Sequence, residues 1–201
     1  MKLYIKPGAC SLAPHIALCE AGYDVETIAV DLAAKTLPDG SSYLDVNPRG
    51  QVPALALKSG RILTEAAVIL QYIADQNPGA HLLPGYGTED RYFTLAWLNW
   101  VSTELHKRFG PLFTPGTSEE AKQAARDGLM QQFAKLEARL VESNYLAQTG
   151  YSIADMYCFV VLGWAQHVGL DLSGFPRVLS YQARIAERPA VQQALREEGL
   201  L

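Results

Sequence analysis

Cys10 is the residue of this sequence whose setting most favours covalent chemistry. It stands between a turn at residues 7–9 and a segment of helical apolar spacing that starts at Ser11. The unpaired N–H groups and positive end of a helix favour a thiolate, which is the nucleophilic form of cysteine. A helix end contributes only about 0.3–1 kcal/mol, so we expect Ser11 Oγ and a histidine to donate hydrogen bonds as well. A buried structural cysteine is the alternative, and we adopt it for Cys19 and Cys158, which lie inside apolar helical patterns.

A proline at the entry to a strand is the second feature, in Gln51-Val52-Pro53. Proline cannot pair through its own nitrogen, which leaves the backbone of Val52 available to an extended peptide. An ordinary turn is the alternative. A cysteine upstream of such a proline resembles thioredoxin-like folds, in which a cis-proline faces the active thiol. We therefore predict a cis Val52–Pro53 bond, although only about 5–6% of X–Pro bonds are cis.

Two further helices carry polar groups that suit a small charged ligand. Thr64-Glu65-Ala66 begins a helix, where backbone N–H groups would receive a carboxylate and Glu65 would pair with an ammonium. An ordinary helix cap is the alternative. On a later helix, Asn99, Thr103 and His106 are spaced i, i+4, i+7 and share one face, and His106 can donate to a sulfur or accept its proton near neutral pH. A solvated polar face is the alternative for that stripe.

The remaining histidines and cysteines do not form a convincing metal motif, and we expect no metal. Three histidines stay without an assigned role: His15, His81 and His167. Three cysteines in 201 residues are odd in number and widely spaced, which is unlike a disulfide framework and favours a reducing cytoplasm. A net charge of −4 does not favour nucleic-acid binding, which depends on positive side chains that neutralise phosphates. No apolar run reaches the ~18 residues that a membrane span requires.

The elements that position these residues follow the order β-α-β-(α)-β-β-α over residues 1–77, which predicts a small mixed sheet with helices on its faces. Residues 78–88 are rich in proline and glycine and predict a linker. Residues 89–201 show only helical patterns and predict an all-helical domain. Within it, Ser152-x-x-Asp155 predicts a capping box for a buried helix that runs from Ile153 to Val168.

Five segments together resemble the bacterial beta class of glutathione transferases: MKLYIKPGACSLAPHIAL, VNPRGQVPALAL, LTEAAVILQYIAD, WLNWVSTELHK and SIADMY. The resemblance spans both predicted domains. It implies a thioredoxin-like N-terminal domain with a mixed four-stranded sheet, an all-helical C-terminal domain and a homodimer. It also implies glutathione as co-substrate. Ala66 stands where relatives often have glycine or serine, so a hydroxyl contact to glutathione is absent there.

The resemblance also implies roles for individual residues. Cys10 approaches the glutathione sulfur and can form a mixed disulfide with it. Together with the hydrogen-bond donors expected above, this gives Cys10, Ser11 and His106 as the predicted catalytic residues. The other implied glutathione ligands are Lys35 for the glycine carboxylate, Val52 for the cysteinyl backbone, Glu65 and Ala66 for the γ-glutamyl group, and Asn99, Thr103 and His106 from the helical domain.

The implied activity is conjugation of glutathione to hydrophobic electrophiles, a detoxification reaction, together with thiol–disulfide exchange through Cys10. Three alternatives stay open at this point: a glutaredoxin-like reductase, a reductive dehalogenase and a non-catalytic ligand carrier. We expect the electrophile to contact Ala9, Phe109, Phe113 and Trp164, although for Trp164 core packing is the alternative.

Overall fold

The computed structural model describes all residues from Met1 to Leu201, and the chain divides into two compact units. The first contains Met1–Leu83 and Glu187–Leu201, and the second contains Pro84–Ala186. None of the helices combines the length and the apolar composition that a membrane span needs.

Four strands and eight helices make up the two units. The strands are β1 (Lys2–Ile5), β2 (Glu26–Ala29), β3 (Ala54–Ala56) and β4 (Ile62–Thr64). The helices are α1 (Leu12–Glu20), α2 (Ala66–Gln76), α3 (Glu89–Trp100), α4 (Lys107–Phe113), α5 (Glu119–Glu142), α6 (Ile153–His167), α7 (Pro176–Ala186) and α8 (Pro189–Glu197). Single 3₁₀ turns occur at Tyr43–Asp45 and Pro78–Ala80, and a π-helical segment, Val101–His106, joins α3 to α4. The sheet and the helical region confirm the predicted fold class.

The sheet of the first unit brings four chain segments to one edge. Its strand order is β2-β1-β3-β4, with β1 parallel to β2 and antiparallel to β3, and with β3 antiparallel to β4. Tyr4 pairs with Ala54, and Ala54 pairs with Thr64. The carboxyl ends of β1, β2 and β4 therefore lie beside the start of β3. The residues that follow or precede those strand ends are Cys10, Lys35, Val52, Pro53 and Glu65.

Helix α8 belongs to the first unit because it packs on α1. Val191 and Ala194 of α8 are fully buried. Arg188 makes two hydrogen bonds to the carboxylate of Glu20, at 2.6 and 3.0 Å. The predicted domains, 1–77 and 89–201, assign this last segment to the helical domain. The division of the structure into units differs from this prediction, because contacts between α1 and α8 join residues from opposite ends of the chain. No local sequence pattern reveals such contacts.

The predicted capping box at the start of α6 is present. The backbone N–H and the hydroxyl of Ser152 donate to Asp155 Oδ2 at 2.9 and 2.8 Å. The other carboxylate oxygen accepts from Leu146 N at 2.8 Å and from the Tyr181 hydroxyl at 3.0 Å. Asp155 is fully buried, and burial raises its pKa to about 6 against the opposing effect of these four bonds. The carboxylate thus joins α6 to α7 and to the preceding loop.

The helix predicted over residues 89–108 is interrupted. Val101–His106 is π-helical, and its wider turn changes the direction in which later side chains point. The α-helical spacing assumed for Asn99, Thr103 and His106 therefore does not hold through this segment. Asn99 and Thr103 are exposed, whereas His106 is half-buried. π-Helical turns occur frequently at functional sites.

Candidate glutathione site

The thiol of Cys10 contacts the backbone that the sequence predicted for ligand binding. Cys10 Sγ donates to the Val52 carbonyl oxygen at 3.4 Å, and the Val52–Pro53 bond is cis, as predicted. Cys10 is partly exposed and forms no disulfide. It lies one residue before Ser11, the N-cap of α1, because the helix begins at Leu12. A partly exposed thiol and the backbone of Val52 thus lie together at the sheet edge.

Ser11 has a different role from the one we expected. Its side chain is fully buried, accepts from Lys6 N at 3.1 Å and donates to Lys6 O at 3.2 Å. A hydroxyl has only one proton to donate. In this arrangement Ser11 therefore has no proton to offer a thiolate, and its side chain instead ties the turn before Cys10 to the end of β1.

Lys35 is fixed next to the strand entry. Its Nζ donates to the Gly50 carbonyl oxygen at 2.8 Å. Gly50 has φ +60°, and a Cβ at that position would lie 3.0 Å from Lys35 Cδ, so glycine allows the lysine side chain to cross here. Hydrogen bonds from Tyr43 and Asn47 to the Gln51 carbonyl, at 2.8 and 2.7 Å, hold the same loop. No sequence pattern predicts these hydrogen bonds of Tyr43 and Asn47.

Glu65 rather than Thr64 is the N-cap of α2, and its backbone is strained. It has φ 69° and ψ 114°, a conformation that costs a non-glycine residue about 1–3 kcal/mol. Its side chain does not cap the helix, and it instead accepts from Arg49 Nη1 at 2.8 Å with both groups well exposed. Strain of this kind is concentrated at ligand sites. The Arg49 contact was not predicted, because the two residues meet only through the fold.

In the second unit, Tyr157 fixes the ring of His106. The buried Tyr157 hydroxyl lies 2.5 Å from His106 Nδ1. Burial, and secondarily the charge of Lys107, lowers the pKa of His106 to about 4. The imidazole is therefore neutral near pH 7, and a phenol that donates to Nδ1 leaves the proton on Nε2. This corrects the expectation that His106 accepts a proton near neutral pH: it is suited to donate a hydrogen bond from Nε2.

This assignment predicts how the imidazole behaves in titration. We expect the ¹H and ¹⁵N shifts of His106 to stay constant between about pH 5.5 and pH 8, with the nitrogen shifts of a neutral Nε2–H ring, since an ordinary histidine titrates near 6.5. The signals would be assigned by their loss in a His106→Asn variant. A titration step of His106 near pH 6.5 would contradict the assignment.

An aromatic cluster surrounds the His106 ring within the second unit. Trp164 lies edge-on to His106 with ring centroids 4.8 Å apart, and Phe109 and Phe113 lie 5.6 and 5.8 Å from Trp164. Phe109 and Trp164 are buried, as core packing would require, whereas Phe113 is 51% exposed. Phe113 therefore presents an apolar face to solvent next to Trp164, the ring that contacts the His106 imidazole.

Comparisons with known proteins show to which family the chain belongs. Two family models match the chain: the glutathione S-transferase N-terminal domain over residues 1–75 and the C-terminal domain over residues 96–189. The glutathione S-transferase GstA of Escherichia coli O157:H7 is 47% identical, with full coverage of both chains. A beta-class enzyme of Sphingomonas chungbukensis and a sphingomonad glutathione S-transferase complexed with glutathione are each 50% identical, with full coverage and a TM-score of 0.97. The chain belongs to the glutathione S-transferase family and, within it, to the bacterial beta class.

Proposed function

We propose that the protein activates glutathione as a thiolate and joins it, through its sulfur, to the electrophilic carbon of a small hydrophobic compound. The new C–S bond forms as the bond from that carbon to its leaving group breaks, as in an aryl halide that releases halide. The observation that supports this most strongly is the contact between the Cys10 thiol and the Val52 carbonyl beside cis-Pro53. A peptide thiol that pairs with the backbone of Val52 would reach Cys10 Sγ at this edge. Holding a thiolate in a fixed orientation near an electrophile lowers the entropic part of the barrier.

The charges at the sheet edge match those of glutathione group by group. Glu65 would pair with the α-ammonium, and the first N–H groups of α2, beginning at Ala66, would receive the α-carboxylate. Lys35, now on the Gly50 carbonyl, would reach the glycine carboxylate. Arg49 holds the Glu65 side chain in place. The tripeptide would therefore meet one partner for each of its charged ends.

We also assign Asn99, Thr103 and His106 of the second unit to glutathione binding, with Nε2–H of His106 as a donor to the thiolate. The neutral ring that Tyr157 fixes supports this role, because a donor stabilises an anionic sulfur without having to lose its proton. Thr103 donates to the Asn99 carbonyl at 3.1 Å, so its oxygen is left to accept from a ligand. Ser11 is not part of this proposal.

Thiol–disulfide exchange through Cys10 is the second candidate activity. The partial exposure of Cys10 supports it, because exchange requires access of a disulfide to a thiolate. No second cysteine stands at Ala13, so the route would use one protein cysteine and glutathione. The electrophile would contact the exposed ring of Phe113. A homodimer in the cytoplasm completes the proposal, and light scattering on the purified protein tests the dimer.

Glutathione binding tests the proposed site at Glu65. Replacing Glu65 with glutamine removes the negative partner of the ligand ammonium, and a hydrogen bond to a charged group contributes about 1.5–3 kcal/mol. We therefore expect the dissociation constant for glutathione, measured by calorimetry, to rise by roughly 10–150-fold.

Glu26→Gln is the matched control. Glu26 is likewise exposed and forms a surface ion pair with Lys2 at 3.3 Å, but it lies at the opposite end of β1. We expect this variant to bind glutathione as the wild type does. Equal weakening in both variants, or no weakening in Glu65→Gln, would exclude Glu65 from the site.

A further inference from the structure

A cluster of metal-ligand side chains lies in the first unit, between α1 and α8, apart from the residues proposed to bind glutathione. His15 Nε2 lies 2.7 Å from Glu197 Oε2, and the ligand atoms of His15, Cys19 and Glu197 all lie within 4.8 Å of one another. His15 is fully buried, Cys19 is partly exposed, and the Glu197 side chain is 42% exposed. The cluster is therefore anchored on one side and accessible on the other.

We propose that His15, Cys19 and Glu197 form a binding site for one zinc ion or a similar divalent transition metal. A nitrogen, a thiolate and a carboxylate are the ligand types that zinc takes in proteins, with a water molecule in the fourth position. Tetrahedral zinc with bonds of 2.0–2.3 Å places its ligand atoms about 3.3–3.7 Å apart. The atoms here, between 2.7 and 4.8 Å apart, reach those separations by movements of about 1 Å.

The second support for a metal is the position of Glu198. Its fully buried carboxylate accepts from His15 Nδ1 at 3.0 Å, which leaves Nε2 directed towards Glu197. A carboxylate on the far nitrogen of a histidine fixes ring orientation and raises ligand basicity in metal sites. Glu198 is itself held by Gly8 N, which donates to its other oxygen at 2.9 Å. The ring is thus oriented before any ion arrives.

Metal binding in this cluster would displace protons, because an imidazole nitrogen and a thiol bind zinc only when they are deprotonated. The bound ion would link Glu197 of α8 to His15 and Cys19 of α1, and it would so join the two helices.

Cobalt titration tests this site directly. Co²⁺ enters tetrahedral zinc sites and, when a thiolate binds it, absorbs in the near ultraviolet by charge transfer. The titration uses tag-free Cys10→Ser protein, so that the other accessible thiol cannot contribute. We expect saturation at one Co²⁺ per chain, a raised melting temperature with the ion present, and displacement of Co²⁺ by Zn²⁺.

Four variants on that background separate the site from incidental binding. Cys19→Ser should abolish the charge-transfer band, Glu197→Gln should weaken binding, and Glu198→Gln should weaken it by about 10–100-fold. Glu187→Gln, an exposed glutamate just before α8, should bind as the parent does. The proposal is overturned if the parent shows no band, if the band survives Cys19→Ser, or if Glu187→Gln and Glu197→Gln weaken binding equally. A circular dichroism spectrum of each variant establishes that it is folded. Glutathione binding is measured in a separate experiment. Absence of a metal site would therefore not count against the glutathione site, and absence of glutathione binding would not count against the metal site.

Discussion

Replacing Cys10 with serine is expected to abolish glutathione-dependent disulfide reduction while leaving conjugation measurable. A serine hydroxyl cannot form the mixed disulfide through which exchange proceeds, so we expect the reductase rate to fall by about 10³-fold or more. Conjugation uses the sulfur of glutathione itself, and it loses only the contribution of a neighbouring protein thiol. We expect its kcat/KM to change by roughly tenfold or less, which corresponds to about one lost hydrogen bond.

The measurement compares turnover of a mixed disulfide with turnover of an aryl halide, both with glutathione and both on the same protein preparations. Cys158→Ala is the control for loss of a cysteine, because Cys158 is fully buried in α6. It should retain both activities, and mass spectrometry should find the glutathione adduct on it but not on Cys10→Ser. Disulfide reduction that persists in Cys10→Ser would show that Cys10 is not the exchanging thiol.

Replacing Asp155 with alanine is expected to cause the largest loss of stability of any single change discussed for this protein. Leu146 N–H, Ser152 N–H and the Tyr181 hydroxyl all donate to its buried carboxylate. Each buried donor left without an acceptor costs about 1–3 kcal/mol. We therefore expect the free energy of unfolding in urea to fall by about 3–5 kcal/mol or more. Asp127→Asn, at an exposed position on α5, should change it by less than about 0.5 kcal/mol.

The Asp155→Asn variant tests how the contribution of Asp155 to the free energy of unfolding depends on pH. The pKa of Asp155 is raised to about 6 in the folded state, so the native protein binds a proton that the unfolded chain has already lost. This contribution to stability is fully present below the unfolded pKa of about 3.8 and disappears as the pH rises through about 6. The advantage of the wild type over Asp155→Asn should therefore grow as the pH is lowered from about 7 to about 4.5. An advantage that shrinks over that range would contradict the raised pKa.

Much of the first unit could be predicted from its sequence because its signals are local. The turn before Cys10, the proline at Pro53 and the helix start at Glu65 each involve only a few consecutive residues, and steric and hydrogen-bonding rules act over that distance. The capping box of Ser152 and Asp155 is predictable for the same reason, since its partners are three residues apart. Local signals did not fix every boundary. Helices α1 and α2 each begin one residue later than predicted, and no sequence pattern that we recognised predicts the π-helical segment.

The sequence by itself determined which side chains are capable of chemistry: Cys10 as a thiol nucleophile, Glu65 as a partner for an ammonium and His106 as an imidazole. Tertiary structure alone decided the partners and orientation of these groups and the protonation state of His106. Tyr157 reaches His106 across 51 positions, Arg49 reaches Glu65 across 16, and Glu197 reaches His15 across 182. Burial and hydrogen-bond partners govern a pKa, and both are set by neighbours in space. The same physical reason explains why His15 and Cys19, one helical turn apart, became recognisable as a candidate metal site only when α8 was seen to pack against them.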